Sequence, residues 1–347
     1  MFPERFVEGW VEQLSRPGDL VLDPFAGRGT TPFQALLMGR RAVASDTNPV
    51  AYCLTRAKTL APSLTVVRAR ISRLEGEYRS RASPVGEAPS EFFELAFSKP
   101  TLDQLLFLRG RLAWRRSPVD AMLGGLVLGS LHGELSSPRY LSNQMARTIS
   151  TKPAYSIRFW KERGLLPPER DVFDLLRMQA EYRYESCPPQ DRAVVYNEDV
   201  RGLPRVMGGQ KARLVVTSPP YLDVTSFEED QWLRLWFLGG PSEPRRNWIS
   251  RDDRHRTAET YWRFISDMWR SLGRVLDKRA DVVIRIGASK MTPERLVEQL
   301  HVTSLFAGRP VKLLSTEVSS IARRQTDAFR PGTQGCRYEV DCHLRMV

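Results

Sequence analysis

Five residues late in the chain, Thr217-Ser218-Pro219-Pro220-Tyr221, combine groups that together can do more than end a strand. Two consecutive prolines fix the backbone and offer no N–H of their own, so the Pro219 carbonyl is held out as an acceptor and Pro220 stiffens it. Ser218 supplies a second acceptor through its hydroxyl, and Tyr221 brings a ring face that can stack on a flat partner. Such a set suits a planar group carrying N–H donors. A polyproline turn closing a strand is the other reading of the two prolines.

A second cluster lies near the start. Asp23-Pro24-Phe25-Ala26-Gly27-Arg28-Gly29-Thr30-Thr31-Pro32 follows the apolar run Leu20-Val21-Leu22. Glycines between a strand and a helix let the backbone approach a ligand and aim the helix N-terminus at negative charge. Only Gly27 and Gly29 are in register for GxGxxG, and Pro32 stands in the way of the rest, which disfavours a nicotinamide dinucleotide. Asp46 lies 17 residues beyond Gly29 at the end of the next apolar run. A carboxylate there can accept both ribose hydroxyls of an adenosine cofactor, or simply cap a helix.

The pattern of apolar residues supplies the elements that must position these groups. It predicts a helix over 3–14, a strand over 20–22, and a helix capped by Thr31 and running to Met38, where Gly39 ends it. A strand over 42–44 and a helix over 49–58 complete a βαβα opening, the mark of a doubly wound, Rossmann-like α/β sheet. The alternation then breaks for about 130 residues, far longer than an ordinary connection. Helices are expected there at 66–79, 102–114, 119–133 and 154–163, with a Pro/Gly/Ser loop at 82–90 and a polar stretch at 136–152. Strands resume at 194–196, 214–216 and 282–286, with a long helix at 261–276. Runs at 311–315 and 338–345, joined through a Pro331-Gly332 turn, read as an antiparallel pair at the sheet edge. The expected division is a catalytic domain in two parts, 1–61 and 191–347, around a largely helical insertion, 62–190.

Composition narrows the setting. The 347 residues carry a net charge of +12, which favours a polyanionic partner such as a phosphate backbone, although a basic surface also serves solubility. The four cysteines form no CxxC pair, so neither a metal site nor a disulfide framework is expected. The first residues do not read as a signal peptide, and the apolar run 121–131 is too short to span a bilayer. A cytoplasmic protein without membrane association is expected.

Asp23 to Thr30 resembles the first cofactor motif, Asp-Pro-Phe-x-Gly-x-Gly-Thr, of the S-adenosylmethionine-dependent DNA amino-methyltransferases, and Ser218 to Tyr221 resembles their catalytic motif. The resemblance covers residues 1–60 and 190–347. It implies a class I methyltransferase sheet, mostly parallel, and S-adenosyl-L-methionine as cofactor. Asp23, Pro24, Phe25, Ala26, Gly27, Gly29, Thr30 and Thr31 would wrap the methionine moiety, with Phe2 and Pro3 flanking its carboxylate. Asp46, Thr47 and Asn48 would hold the ribose, and Asp199 and Val200 the adenine, Asp199 through the amino group. Ser218 and Pro219 would accept from an exocyclic amine, freeing its lone pair for direct attack on the methyl group, while Tyr221 stacks on a base flipped out of the duplex. No metal is required.

In this family serine at the first catalytic position goes with cytosine N4, and aspartate or asparagine with adenine N6. Ser218 therefore implies an N4-cytosine enzyme. Adenine N6, an RNA base, and a catalytically silent nucleic-acid-binding protein stay open as alternatives. The cofactor motifs precede the catalytic one here, which departs from the commoner order among N4-cytosine enzymes.

Double-stranded DNA is the implied partner, and the insertion is where it would be read. Arg139, Tyr140, Asn143, Gln144, Arg147 and Lys152 mix basic, polar and aromatic side chains suited to phosphates and base edges. Tyr155 and Arg158 continue this onto the next helix, and Arg245, Arg246 and Arg251 form a second basic loop. The aromatic stripe at 227–238 reads as core, with one side toward the adenine pocket. A cognate restriction endonuclease and the oligomeric state are left open.

Overall fold

A computed structural model describes residues 2–81, 89–186, 188–189, 191–222, 227–244, 257–321, 336 and 338–347. The chain forms two compact units. Unit 1 comprises Met1–Thr55, Pro189–Val224 and Ser250–Val347, and unit 2 comprises Arg56–Pro188 and Thr225–Ile249. The second segment of unit 2 lies within what the sequence assigns to the catalytic part.

In chain order the elements begin with α1 (Glu4–Leu14), β1 (Leu20–Asp23), α2 (Thr30–Leu37), β2 (Arg41–Ser45) and α3 (Pro49–Thr59). There follow α4 (Leu64–Arg79), α5 (Glu91–Ala96), α6 (Lys99–Arg111), α7 (Pro118–Ser130), α8 (Pro153–Glu162) and α9 (Val172–Arg183). The chain returns to β3 (Val194–Tyr196), α10 (Leu203–Val206) and β4 (Ala212–Thr217), then α11 (Phe227–Asp230) and α12 (Trp232–Phe237). It ends with α13 (Ala258–Val275), β5 (Leu276–Ile286), α14 (Pro293–Thr303), β6 (Val311–Ser320) and β7 (Tyr338–Met346).

Unit 1 is a doubly wound, mostly parallel sheet in the order β3-β2-β1-β4-β5-β7-β6. The strands from β3 to β5 are parallel, and β7 runs antiparallel to both β5 and β6. Continuous apolar runs form the middle strands because helices cover both faces, and every residue of β1 is buried. One core layer gathers α13 residues Tyr261, Phe264 and Trp269 with Val282 and Ile284 of β5. The other sets Val7 and Val11 of α1 against Val21, Leu214 and Val283. β6 runs five residues past the expected end at 315. Its polar continuation carries no apolar alternation, and it is a strand because it is hydrogen-bonded to β7 as far as Ser320↔Tyr338.

In unit 2 the aromatic stripe packs as core, and it packs within this unit. Trp232 meets Phe92 at 4.9 Å between ring centroids, and Trp236 meets Phe93 at 4.5 Å. The Arg234 guanidinium donates to the Leu128 and Arg147 carbonyls, and Arg109 donates to those of Trp236 and Gly240. α5, of 6 residues, and α9, of 12, arise where the sequence reading places no element. The Asp171 carboxylate caps α9 by accepting from the Phe173 and Asp174 N–H groups. No helix among the described residues is long and apolar enough to cross a membrane.

Candidate active site

Strand order reverses between β1 and β4, with β2 and β3 outside one and β5, β7 and β6 outside the other. Open α/β sheets bind ligands beyond the carboxyl ends of strands at such a point. Both sequence clusters arrive there. The Thr217 hydroxyl, one residue before Ser218, donates to Asp23 Oδ1 at 2.6 Å across 194 residues of chain. Thr217 was quoted in the motif without a role, and the bond that gives it one depends on which strands become neighbours.

The glycine loop is held from beneath. Gly27 and Gly29 adopt φ of 52° and 76°, in the left-handed region. A Cβ on Gly29 would stand 2.9 Å from Thr55 Oγ1 and 3.0 Å from its Cα, so the loop lies directly on α3. Asp46 Oδ2 accepts from the Gly27 N–H at 2.9 Å and Oδ1 from the Asn48 N–H at 2.8 Å. Asn197 Nδ2 donates to the carbonyls of Asp46 and Thr47, tying the ends of β2 and β3 together. Asn48 is buried and caps α3 by accepting from the Val50 N–H. Asp199 caps the short turn before α10 and pairs with Arg201 at 2.8 Å. Val200 and Ala26 are buried, and Pro24 is likewise covered. Phe25 stands edge-on to Phe264 at 5.4 Å. Phe2 is buried and packs against Phe6 with the rings tilted and their centroids 5.2 Å apart, whereas Pro3 is exposed at the head of α1.

Thr31 departs from expectation. The helix opens two residues earlier than a Thr31 cap would have it, at Thr30, with Gly29 in the cap position. Thr31 is fully buried and its hydroxyl donates to the Val216 carbonyl at 3.0 Å, so it joins β4 to α2 and neither caps the helix nor faces a ligand. A left-handed glycine at the cap leaves the threonine side chain turned into the core.

Burial pushes the Asp23 carboxyl up to about 6, against the opposing pull of the Thr217 hydroxyl and the Phe25 N–H. Both of these donate to Oδ1. The folded protein thus holds this proton more tightly than the unfolded chain. The stabilisation is complete below the ordinary value of 3.8 and is lost as pH rises through about 6. Asp23→Asn keeps an oxygen for both donors and removes the titration. Relative to wild type, the variant is expected to gain about 2–3 kcal/mol between pH 4 and pH 7, checked by thermal unfolding of both proteins across that range.

The tetrapeptide Ser218-Pro219-Pro220-Tyr221 leaves β4 with Pro219 buried and Ser218, Pro220 and Tyr221 half-buried. A bridge between Leu222 and Ala288 holds the loop beside the end of β5. Ser218 Oγ donates to Tyr221 Oη at 3.4 Å, and Tyr221 Oη donates to Glu339 Oε1 at 2.7 Å. Arg285 pairs with Glu339 at 3.3 Å and makes two bonds to Asp341, at 2.6 and 2.7 Å, with its guanidinium 4.0 Å from the centre of the Phe6 ring. Burial works against the charge on Arg285, and the two carboxylates more than offset it, raising its pKa above the ordinary value. Burial, then the Glu339 carboxylate, push the Tyr221 phenol far above its ordinary value, so it stays a donor. Glu339 and Arg285 escaped the sequence reading because alternation marks β7 and β5 as strands without saying what their polar residues meet.

Gly287 sets the room for the tyrosine. A Cβ there would lie 2.6 Å from Cys336 Sγ and 3.0 Å from two carbons of the Tyr221 ring. Gly287→Ala is expected to displace that ring and lower turnover more than tenfold while leaving cofactor affinity within twofold, read by single-turnover assay and calorimetry.

Of the residues expected to read DNA, Asn143 is a correction. It is fully buried, and its amide donates to the Leu95 and Leu165 carbonyls, because the polar loop needs an internal anchor. Gln144 accepts from the Leu135 N–H and also turns inward. Tyr140 packs on Gly133, where a Cβ would meet its ring at 2.4 Å. Arg139, Arg147, Lys152, Tyr155 and Arg158 are exposed. Arg147 pairs with Glu134 at 3.0 Å, Lys152 with Glu229 at 3.2 Å, and Arg158 approaches Glu162 at 4.0 Å. Exposed pairs of this kind are weak enough to exchange for phosphate. Arg245, Arg246, Arg251 and the Pro331-Gly332 turn lie outside the described residues. Among the described residues no group of three or more acidic, histidine or cysteine side chains is placed to hold a metal ion.

Residues 1–55 match the family model described as DNA methylase. Type II methyltransferase M.BsoBI of Geobacillus stearothermophilus is 23% identical over 268 residues, covering 69% of this chain and 51% of that protein. The chain thus spans about half the length of the curated relative it matches. Among solved structures, TrmN from Thermus thermophilus aligns with TM-score 0.37 and 11% identity, covering 100% of this chain and 49% of that one. The rRNA methyltransferase aviRa from Streptomyces viridochromogenes aligns with TM-score 0.35 and 13% identity, covering 98% and 84%.

Proposed function

We propose that this chain, whose residues 1–55 match the DNA methylase family model, transfers a methyl group from S-adenosyl-L-methionine to the N4 amine of a cytosine in duplex DNA. The observation that carries this reading is the 2.6 Å bond from Thr217 to Asp23, which sets the cofactor motif and the catalytic tetrapeptide side by side at the switch point.

The residues present fit that cofactor. The left-handed Gly27 and Gly29 turn the loop tightly between β1 and α2, with Gly29 pressed on Thr55 of α3, and the Asp46 carboxylate stands at the end of β2, where ribose hydroxyls can reach it. Asp199, at the end of β3, stands where the adenine amino group would be met. When bound, the cofactor supplies an electrophilic methyl group on a sulfonium. Ser218 and the Pro219 carbonyl accept from the amine N–H groups, which draws the nitrogen lone pair out of conjugation, and the Tyr221 ring stacks on the flipped base. The exposed Arg139, Arg147, Lys152, Tyr155 and Arg158 of unit 2 would meet the DNA.

Incubating the protein with isotopically labelled S-adenosylmethionine and unmethylated duplex DNA, then identifying modified nucleosides by mass spectrometry, tests the proposal. N4-methylcytosine is the expected product. N6-methyladenine alone overturns the choice of base, label confined to structured RNA overturns the substrate, and no label in either overturns the activity.

A further inference from the structure

We propose that Glu339 is the positioning residue for Tyr221 and the terminus of a proton wire from the substrate amine, Ser218 to Tyr221 to Glu339. The inference rests on the amino-methylation reading above and deepens it.

The hydrogen-bond directions carry the argument. Ser218 donates to Tyr221 and Tyr221 donates to Glu339, so both protons of the chain point away from the substrate side. The hydroxyl of Ser218 has spent its proton, and its lone pairs are what it can offer an amine. A serine free to rotate would as readily donate, which would oppose the chemistry. Glu339 fixes this polarity from the far end, because a carboxylate only accepts, and a phenol that accepts from serine must give its own proton elsewhere. The carboxylate is itself oriented by Arg285, which Asp341 grips on two nitrogens and the Phe6 ring covers. Gly287 leaves space for the tyrosine ring in this pose.

The same three groups offer the product proton a way out. An amine that has gained a methyl group carries one proton too many. Its N–H bond breaks as Ser218 Oγ takes that proton. The former Ser218 proton passes to Tyr221 Oη, and the Tyr221 proton passes to Glu339 Oε1. Serine and tyrosine end neutral, the amine ends neutral, and the carboxylate ends as a carboxylic acid. No oxidant or further reactant is needed. The Glu339 side chain keeps 16% of its surface exposed, enough to return the proton to water.

The wire is tested with Glu339→Gln, whose amide oxygen can still accept from Tyr221 and whose loss of charge leaves Arg285 on Asp341, and with Tyr221→Phe, which cuts the wire but keeps the ring. Single-turnover methylation of unmethylated genomic duplex DNA is followed from pH 5 to pH 9, with cofactor affinity measured by calorimetry. Both variants are expected to lose about 10²-fold in rate at neutral pH with cofactor affinity within twofold. The double variant is expected to lose no more than either single. Glu339→Gln should gain rate with added imidazole buffer, which a purely structural role would not cause. Wild-type rates and profile in Glu339→Gln overturn the wire while leaving the amino-methylation reading intact. No transfer by the wild type overturns that reading and the wire with it.

Discussion

Ser218→Ala is expected to lower the single-turnover rate of methyl transfer by about 10²–10³-fold while cofactor affinity stays within twofold. In the proposed mechanism the variant removes one of the two acceptors that draw out the amine lone pair. Losing one preorganised hydrogen-bonding group at a reacting centre typically costs that much in rate. The change also cuts the 3.4 Å bond to Tyr221 but leaves Tyr221 on Glu339, so the stacking ring keeps its place. Because the effect falls on the transition state, kcat should drop with little change in KM. The assay is rapid-quench methylation at saturating cofactor, paired with calorimetry.

Asp46→Ala should produce the opposite pattern, a collapse of cofactor binding. In the structure its two oxygens hold the N–H groups of Gly27 and Asn48, and in the proposed complex they also meet the ribose. Bonds to a charged acceptor contribute about 1.5–3 kcal/mol each, and removing it leaves the glycine loop held to the end of β2 by the backbone bond from the Ala26 N–H to the Ser45 carbonyl. The dissociation constant for S-adenosylmethionine is expected to rise by 10²–10³-fold by calorimetry. A variant that binds within threefold of wild type would remove Asp46 from the cofactor site. Asp46→Asn separates the two roles, since its single oxygen can keep only one of the backbone bonds.

Much of unit 1 was readable in the sequence because its strands and helices alternate with clear periodicity. The strands at 20–22, 42–44, 194–196 and 214–216 all form, and Gly27, Gly29 and Asp46 stand where a strand-turn-helix opening puts them. What could not be read depends on contacts between distant segments. Thr31 looks like a helix cap until β4 comes alongside and takes its hydroxyl. Asn143 looks like a base-reading amide until α5 and the end of α8 present it with two carbonyls to satisfy. Glu339 looks like an ordinary polar position in a strand until the loop after β4 is laid across it.

The second unit is made of two pieces of chain, and that constrains how it can change hands. Trp232 and Trp236, on the later piece, find their partners Phe92 and Phe93 on the earlier one, and the Arg234 guanidinium closes on carbonyls at 128 and 147. A graft that exchanged only residues 56–188 with a relative would strip two tryptophans of their packing, at about 3–5 kcal/mol each, and displace the two carbonyls on which a buried guanidinium closes. Recombination that preserves folding therefore has to carry 225–249 along with it, so the two segments are inherited as a pair although more than thirty residues of the other unit separate them in the gene.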